Sequence, residues 1–399
     1  MYAARMPTRV ADRFAPFGTT IFAEMTALAQ KHGAVNLGQG FPDFEGPSFV
    51  KDAAARAMLD KPNQYAPMGG VPELTEAIAR MWTRETGLPC DARANVTVTA
   101  GCTEAIAATL LGLVNPGDEV ILFEPYYDSY RACVAMAGAT VRFVTLRAPD
   151  FRVDEAALSA AFTDRTRAIL VNTPHNPTGR ALSREELSVI ARLCVKHDAI
   201  AVTDEVYERL VYEGEHVRLA TLPGMAERTV TLSSLGKTFS LTGWKVGWAV
   251  APEGLTRGVR AAHQFLTFAV ATPLQHGAAA ALGAPASYYE DLRSTFRARR
   301  DALCDELERI GFAVSRPEGG YFVMADFRGL DLARLGLPPD ADDVAFCRAL
   351  VERAGVAAIP PSFFYSESRE GSFMARFAFC KKGETIGEGV RRLRAAFAG

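Results

Sequence analysis

Residues 95–124 read NVTVTAGCTEAIAATLLGLVNPGDEVILFE. Asn95 to Ala100 is a β-branched run that predicts a strand, and Cys102 to Val114 is an apolar stretch of helical length stopped by the Asn115-Pro116-Gly117 turn. Glu119 to Glu124 predicts the next strand, followed by a helical segment through Tyr130 and Cys133. The alternation continues downstream. Arg167 to Asn172 predicts a strand entering the loop Thr173-Pro174-His175-Asn176-Pro177-Thr178-Gly179, and a helix starts from Ser183. Ala199 to Asp204, Thr229 to Ser233 and Lys245 to Val250 complete the set. Short apolar strands separated by helices predict an α/β fold with a largely parallel sheet covered on both faces. Ligands of such sheets collect at the carboxyl ends of the strands.

Working outward, 399 residues are too many for one simple core, so two domains are expected. After about residue 285 the texture changes. Leu292, Phe296, Leu303, Leu307 and Ile310 fall on one face of a long amphipathic helix. Gly320 to Phe327, Val356 to Ile359 and Met374 to Phe379 predict strands, with Asp342 to Ala354 and Thr385 to Phe397 as helices. The expected division is an arm over 1–45, a large domain over 46–285 and a smaller α+β domain over 286–399. The arm has no sheet of its own and is expected to pack on the small domain or on a partner subunit.

A net charge of −2 with both signs scattered gives no basic stripe for nucleic acid and no acidic tail. The opening MYAARMPTRVADRF has no apolar core of leader length, and no stretch approaches the roughly 20 apolar residues that span a bilayer. The seven cysteines are dispersed and form neither a CxxC pair nor a metal cluster with the six histidines. Reduced thiols in a cytoplasmic protein are expected.

The chemistry-bearing residues sit at predicted strand ends. Lys237, in Ser233-Ser234-Leu235-Gly236-Lys237-Thr238, follows a core strand among small and hydroxyl residues. Schiff-base chemistry needs an amine that is desolvated or near other cations. Asp204 ends a strand, where it either caps the next turn or pairs with a protonated pyridine nitrogen. Asn176 and Tyr207 are a turn asparagine and a core aromatic, or donors to a cofactor's phenolic oxygen. Gly101, Cys102 and Thr103 form a strand-to-helix turn whose amides and dipole suit a phosphate, and Ser234 and Lys245 can add a hydroxyl and a charge. Tyr126, just past the strand ending at Glu124, is placed to stack on a planar ring. Arg376 lies between buried aromatics, where it needs an anionic partner, either a structural carboxylate or that of a substrate.

This order of features resembles the class I aminotransferases of pyridoxal 5'-phosphate (PLP) fold type I over nearly the whole chain. The carriers are Asn36-Leu37-Gly38-Gln39-Gly40-Phe41-Pro42-Asp43-Phe44, Asn63-Gln64-Tyr65, Asn172-Thr173-Pro174-His175-Asn176-Pro177, Thr203-Asp204-Glu205-Val206-Tyr207, Ser234-Leu235-Gly236-Lys237-Thr238-Phe239 and Thr242-Gly243-Trp244-Lys245-Val246-Gly247. Within the family the chain is similar to the kynurenine/glutamine transaminase and cysteine-conjugate β-lyase group. It looks most like bacterial methionine aminotransferases, through Gly18-Thr19-Thr20-Ile21-Phe22, Asn63-Gln64-Tyr65-Ala66-Pro67-Met68 and His263-Gln264-Phe265-Leu266-Thr267-Phe268.

The resemblance implies a mainly parallel seven-stranded-type sheet sandwiched by helices, a PLP cofactor and a homodimer with shared sites. It implies Lys237 as the lysine bonded to PLP, Asp204 at the ring nitrogen, Asn176 and Tyr207 at the phenolic oxygen and Tyr126 on the ring face. Cys102 and Thr103 amides, Ser234 and Lys245 would hold the phosphate. Arg376, helped by Asn176 and the Gly38 backbone, would hold the substrate carboxylate, while Tyr65 and Phe268 reach the neighbouring subunit's site. Two positions depart from the common pattern: Lys245 stands where many members carry arginine, and Cys102 where a glycine, alanine or serine is usual.

The implied reaction is ping-pong transfer of an amino group from an amino acid to a 2-oxo acid. Phe41, Phe268 and Tyr365 are candidates for an apolar side-chain pocket, and no second arginine stands out for a distal carboxylate. Methionine, aromatic or glutamine-like donors are therefore expected. A β-lyase acting on cysteine conjugates and a transaminase of N-succinyldiaminopimelate type are the alternatives. A regulatory module fusing this fold to a winged-helix DNA-binding domain is disfavoured, because no basic helix-turn-helix precedes the arm.

Overall fold

The structure is a computed structural model and describes residues 10–397. Residues 1–9, part of the stretch read above for an apolar leader, lie outside that range. In chain order the strands are β1 (Val35–Asn36), β2 (Val96–Thr99), β3 (Glu119–Glu124), β4 (Thr140–Thr145), β5 (Thr166–Asn172), β6 (Ile200–Asp204), β7 (Thr229–Ser234), β8 (Gly247–Val250), β9 (Ala313–Ser315), β10 (Phe322–Asp326), β11 (Val356–Ala357) and β12 (Met374–Ala378).

Seven strands form one sheet in the order β2-β8-β7-β6-β5-β3-β4. The block from β4 to β7 is parallel, whereas β8 runs antiparallel to both of its neighbours. The link from Ser234 to Gly247 carries only a four-residue helix, Leu235–Thr238, and one short 3-10 turn. Without a crossover helix, the chain turns back to lie antiparallel beside β7 instead of crossing over the sheet. The strand predicted from Lys245 starts at Gly247 because Lys245 sits in the left-handed region at φ 51°. The edge strand β4 was not predicted: it is half exposed and carries Arg142, so it lacks the continuous apolar run of its neighbours.

Side-chain alternation along β3 shows why both faces must be covered. Ile121 and Phe123 enter one apolar cluster with Leu158, Leu187 and Ile190, while Val120 and Leu122 enter another with Ile106, Leu110 and Val134. Each such burial contributes ~1.5–3 kcal/mol. The helices Arg184–Lys196 and Gly101–Leu113 thus lie on opposite faces. The first of them begins with a capping box between Ser183 and Glu186.

A smaller antiparallel sheet, β12-β10-β9, packs beside the long helix Ala286–Ile310, which buries Phe296, Leu303 and Leu307. The predicted strand from Val356 ends at Ala357, and the predicted helix from Asp342 runs over Asp343–Ala349 into a π turn, Leu350–Ala354. The early segment does join a sheet: β1 pairs in parallel with β11. Ile21, Met25 and Ala29 of helix Ile21–His32 lie in the same cluster as Phe296, Leu303 and Val356.

Behind the carboxyl end of β6, Arg218 bridges Glu205 at 2.5 Å, Glu85 at 2.7 Å and Glu208 at 2.7 Å, with His216 2.9 Å from Glu205. Glu205, Glu208 and His216 have ligand atoms within 4.8 Å of one another, but the guanidinium occupies the charge centre. Glu205 is fully buried, so removing the arginine strands a carboxylate. Arg218→Leu is expected to lower unfolding free energy by roughly 3–5 kcal/mol in urea titrations. Among the described residues no helix is long and apolar enough to cross a membrane.

Candidate active site

The carboxyl ends of β2, β5, β6 and β7 open on one edge of the large sheet, and a cavity of about 260 Å³ lies there. Its floor and walls include Gly101, Cys102, Thr103, Asn176, Asp204, Tyr207, Ser234, Lys237 and Lys245. Phe322 and Arg376 close it from the small sheet, and Phe22, Gln39, Gly40 and Phe41 from the N-terminal segment. Residues separated by hundreds of positions therefore meet because strand ends, a βα turn and two outer segments converge.

Lys237 follows β7 in the short helix Leu235–Thr238. Its Nζ lies 3.5 Å from the Gly40 carbonyl and 5.8 and 5.7 Å from the ring centres of Tyr207 and Tyr321. Burial, with Lys245 adding repulsion, pushes the amine below the ordinary lysine range. Such an amine is neutral and nucleophilic at a lower pH than a surface lysine.

The phosphate-type turn is built from Thr99 to Thr103. Gly101 has φ +74°, and an added Cβ would come 3.0 Å from Lys245 Nζ. A Cβ on Gly247 would strike the Gly101 carbonyl carbon at 2.5 Å and the Cys102 amide at 2.7 Å. Glycines at both positions therefore leave a cradle lined by amides and by Lys245, whose Nζ is 3.4 Å from Thr103 Oγ1. Glu104 accepts from the Ala100 amide and from buried His263, 2.6 Å away, which fixes the turn from below.

Arg376 is 1% exposed. Its Nη1 donates to Asn176 Oδ1 at 3.1 Å and its Nη2 to the Gly38 carbonyl at 2.9 Å, while Nε is buried without a partner. The rings of Phe322, Phe364 and Phe22 lie 4.0, 5.1 and 5.2 Å from the guanidinium carbon. Burial disfavours its charge, and its two hydrogen bonds go to neutral oxygens, an amide and a backbone carbonyl. A caged cation of this kind fits a carboxylate arriving from outside the chain.

Three expectations need correction. Tyr126 does not face the cavity: its ring stacks on Phe143 at 5.6 Å and its hydroxyl meets Ser366 at 2.7 Å. Tyr127, the next residue, lines the cavity in its place. The Gly38 backbone acts through Arg376, because its amide already donates to Asn36 Oδ1 at 3.0 Å. Tyr365 is buried away from the lining. Tyr65 and Phe268, expected at a neighbouring subunit's site, pack edge to face at 5.4 Å on the surface, 84% and 43% exposed.

The structure also brings in residues that sequence reading passed over. Tyr130 bonds Asp204 at 2.7 Å. Asn172 accepts from the Asn176 amide at 2.7 Å and donates to the Asp204 carbonyl at 2.8 Å, tying two strand ends together. Phe22 and Phe322 had no local signal beyond being aromatic.

The class I and II aminotransferase family model matches residues 32–393. The chain belongs to that family. A Mycobacterium tuberculosis protein described as a probable N-succinyldiaminopimelate aminotransferase is 47% identical over 394 residues, covering 96% of this chain and 97% of its own. The solved structure of the M. tuberculosis N-succinyldiaminopimelate aminotransferase superimposes with a TM-score of 0.92 over 97% of this chain and 100% of that one. The Escherichia coli methionine aminotransferase is 40% identical over 378 residues, covering 94% and 96%, and human kynurenine–oxoglutarate transaminase 3 is 37% identical over 405, covering 94% and 88%.

This aminotransferase therefore has the α/β architecture of PLP fold type I, is a transaminase and uses PLP. The cavity fits that cofactor on its own terms: an anion cradle, a depressed lysine, a buried aspartate and an unpartnered buried arginine nitrogen share one space. Gly101→Ala is expected to keep the fold and raise the PLP dissociation constant roughly tenfold, from left-handed strain and displaced Lys245. Equilibrium dialysis of the variant against PLP checks this.

Proposed function

We propose that this aminotransferase moves the amino group of a neutral or apolar L-amino acid (methionine, aromatic or glutamine-like) to a 2-oxo acid, using one site for both half-reactions. The observation that carries this is the lining around Arg376. Phe22, Phe41, Tyr127 and Phe322 supply apolar surface, and the cations in the lining are Lys237, Lys245 and Arg376. Each of these already has a task, which leaves no fixed positive charge there for a distal carboxylate.

PLP, when bound, supplies an electron sink that acidifies the substrate Cα–H. The protein does the remainder. Arg376 holds the donor's carboxylate in a two-pronged grip, oriented by Asn176 and the Gly38 carbonyl. Lys237 would hold the cofactor covalently and would serve as the base for the Cα proton. Asp204 stands as counter-charge at the ring nitrogen. Asn176, whose Oδ1 is taken by Arg376, has its Nδ2 left to donate at the phenolic oxygen alongside Tyr207. The amides of Cys102 and Thr103, the Ser234 hydroxyl and Lys245 take the phosphate, while Tyr127 covers the ring face.

A half-reaction screen tests the donor class. Methionine, phenylalanine, kynurenine and glutamine are each expected to bleach the visible band of the PLP-loaded enzyme. Aspartate and glutamate turning over far better than these would refute the proposal. The 47% identity to the M. tuberculosis protein favours a second reading, with an N-succinylated diaminopimelate as the amino compound. That reading wins if the succinylated compound surpasses methionine by more than about tenfold in kcat/KM, a difference of about 1.4 kcal/mol. Pyruvate and ammonia released from an S-substituted cysteine without added oxo acid would mark the β-lyase alternative instead.

The exposed aromatics Tyr65, Phe265 and Phe268 support a homodimer in which Tyr65 and Phe268 serve the neighbouring site. Seven free thiols, five of them buried, fit a reducing cytoplasm.

A further inference from the structure

Asp204 is 4% exposed, and three donors reach its carboxylate. Oδ2 accepts from the Tyr130 hydroxyl at 2.7 Å. Oδ1 accepts from the Val206 amide at 3.3 Å and from the Cys102 thiol at 3.5 Å. Tyr130 belongs to helix Ser129–Met136, is 3% exposed and is braced edge to face by Tyr127 at 5.6 Å. Both Tyr130 and Cys102 also line the cavity.

We propose that Tyr130, with Cys102 as a weaker second donor, is a positioning residue that keeps the Asp204 carboxylate ionised and oriented, so that the proton it shares with the cofactor's ring nitrogen resides on the nitrogen. The inference rests on the reading of Asp204 as the ring-nitrogen partner. A carboxylate in an apolar interior prefers to be protonated, and burial pushes Asp204 up accordingly. Hydrogen bonds to the charged form oppose this, and the phenol of Tyr130 is the strongest of them here. The phenol and the thiol remain donors, because burial and the neighbouring carboxylate hold both well above their ordinary ranges. The other titratable groups facing this carboxylate are Lys237, Tyr207 and Tyr127. Of these, Lys237 is the only one that becomes a cation. Without the Tyr130 hydroxyl the proton moves toward Asp204, and the ring loses the positive charge that makes it an electron sink. Cys102 thereby has a use for its side chain, whereas the phosphate turn itself needs only its amide.

The test is ¹⁵N NMR of the holoenzyme carrying PLP labelled at the ring nitrogen, referenced to the acid and base limits of the free cofactor. The wild-type signal is expected near the protonated limit. Tyr130→Phe keeps the ring packing and is expected to move the signal measurably toward the unprotonated limit. The expected change in proton sharing is on the order of tenfold, the worth of one hydrogen bond to a charged group. Cys102→Ala moves it less in the same direction, and far-UV circular dichroism confirms that each variant is folded. A Tyr130→Phe signal identical to wild type, with Asp204→Ala shifted to the unprotonated limit or unable to hold PLP, overturns the role of Tyr130 and leaves that of Asp204 standing. An Asp204→Ala enzyme with the wild-type signal overturns both.

Discussion

Lys237→Ala is expected to abolish the covalent hold on PLP and to slow amino transfer on the order of 10⁴-fold or more, since one side chain is both the anchor and the proton carrier. Borohydride treatment of the wild-type holoenzyme should fix the cofactor's mass on the peptide bearing Lys237, and treatment of the variant should fix none. Lys245 makes this a sharp test, because it lines the same cavity and its Nζ adjoins the phosphate turn. Lys245→Ala should retain the covalent link and bind PLP more weakly. Cofactor mass on Lys245 instead would reverse the assignment of the two lysines. The physical basis for the choice lies in their surroundings. Lys237 points at a carbonyl between two aromatic rings, whereas Lys245 is exposed and turned toward a threonine hydroxyl.

Arg376→Leu is the second large effect. Truncating one partner of a buried charge pair costs about 2–5 kcal/mol, so kcat/KM for every amino donor should fall by roughly 10²- to 10³-fold. The PLP spectrum should stay as in wild type, because no phosphate or ring contact is removed. The loss would leave Asn176 Oδ1 and the Gly38 carbonyl without their donor, and the aromatic cage of Phe22, Phe322 and Phe364 without its cation. Arg376→Lys would keep a charge and lose the fork, and should recover only part of the activity. Steady-state kinetics with methionine and with phenylalanine would measure both. Turnover within threefold of wild type for Arg376→Leu would move the carboxylate site elsewhere.

The legible part of the site was the part carried on strands with continuous apolar runs. Strand ends at Asn172, Asp204 and Ser233 follow from the pattern alone, so the residues just beyond them fall at one sheet edge. Tyr126 shows where this fails. Glu124-Pro125-Tyr126-Tyr127 offers two adjacent tyrosines past a strand end, and one residue of register decides which ring turns inward. Tyr126 is held outward by Phe143 and Ser366, both distant in sequence. No local rule carries that information.

Sequence by itself determined the alternation of elements, the covered sheet, the glycine turn and the type of each group that chemistry at the site requires, because these depend on period, propensity and backbone permission. Tertiary structure alone decided the antiparallel return of β8, the inward turn of Tyr127, the phenylalanine cage around Arg376 and the Tyr130 bond to Asp204. Each of those depends on contacts between segments far apart along the chain, where packing and the burial of charge outweigh local preference.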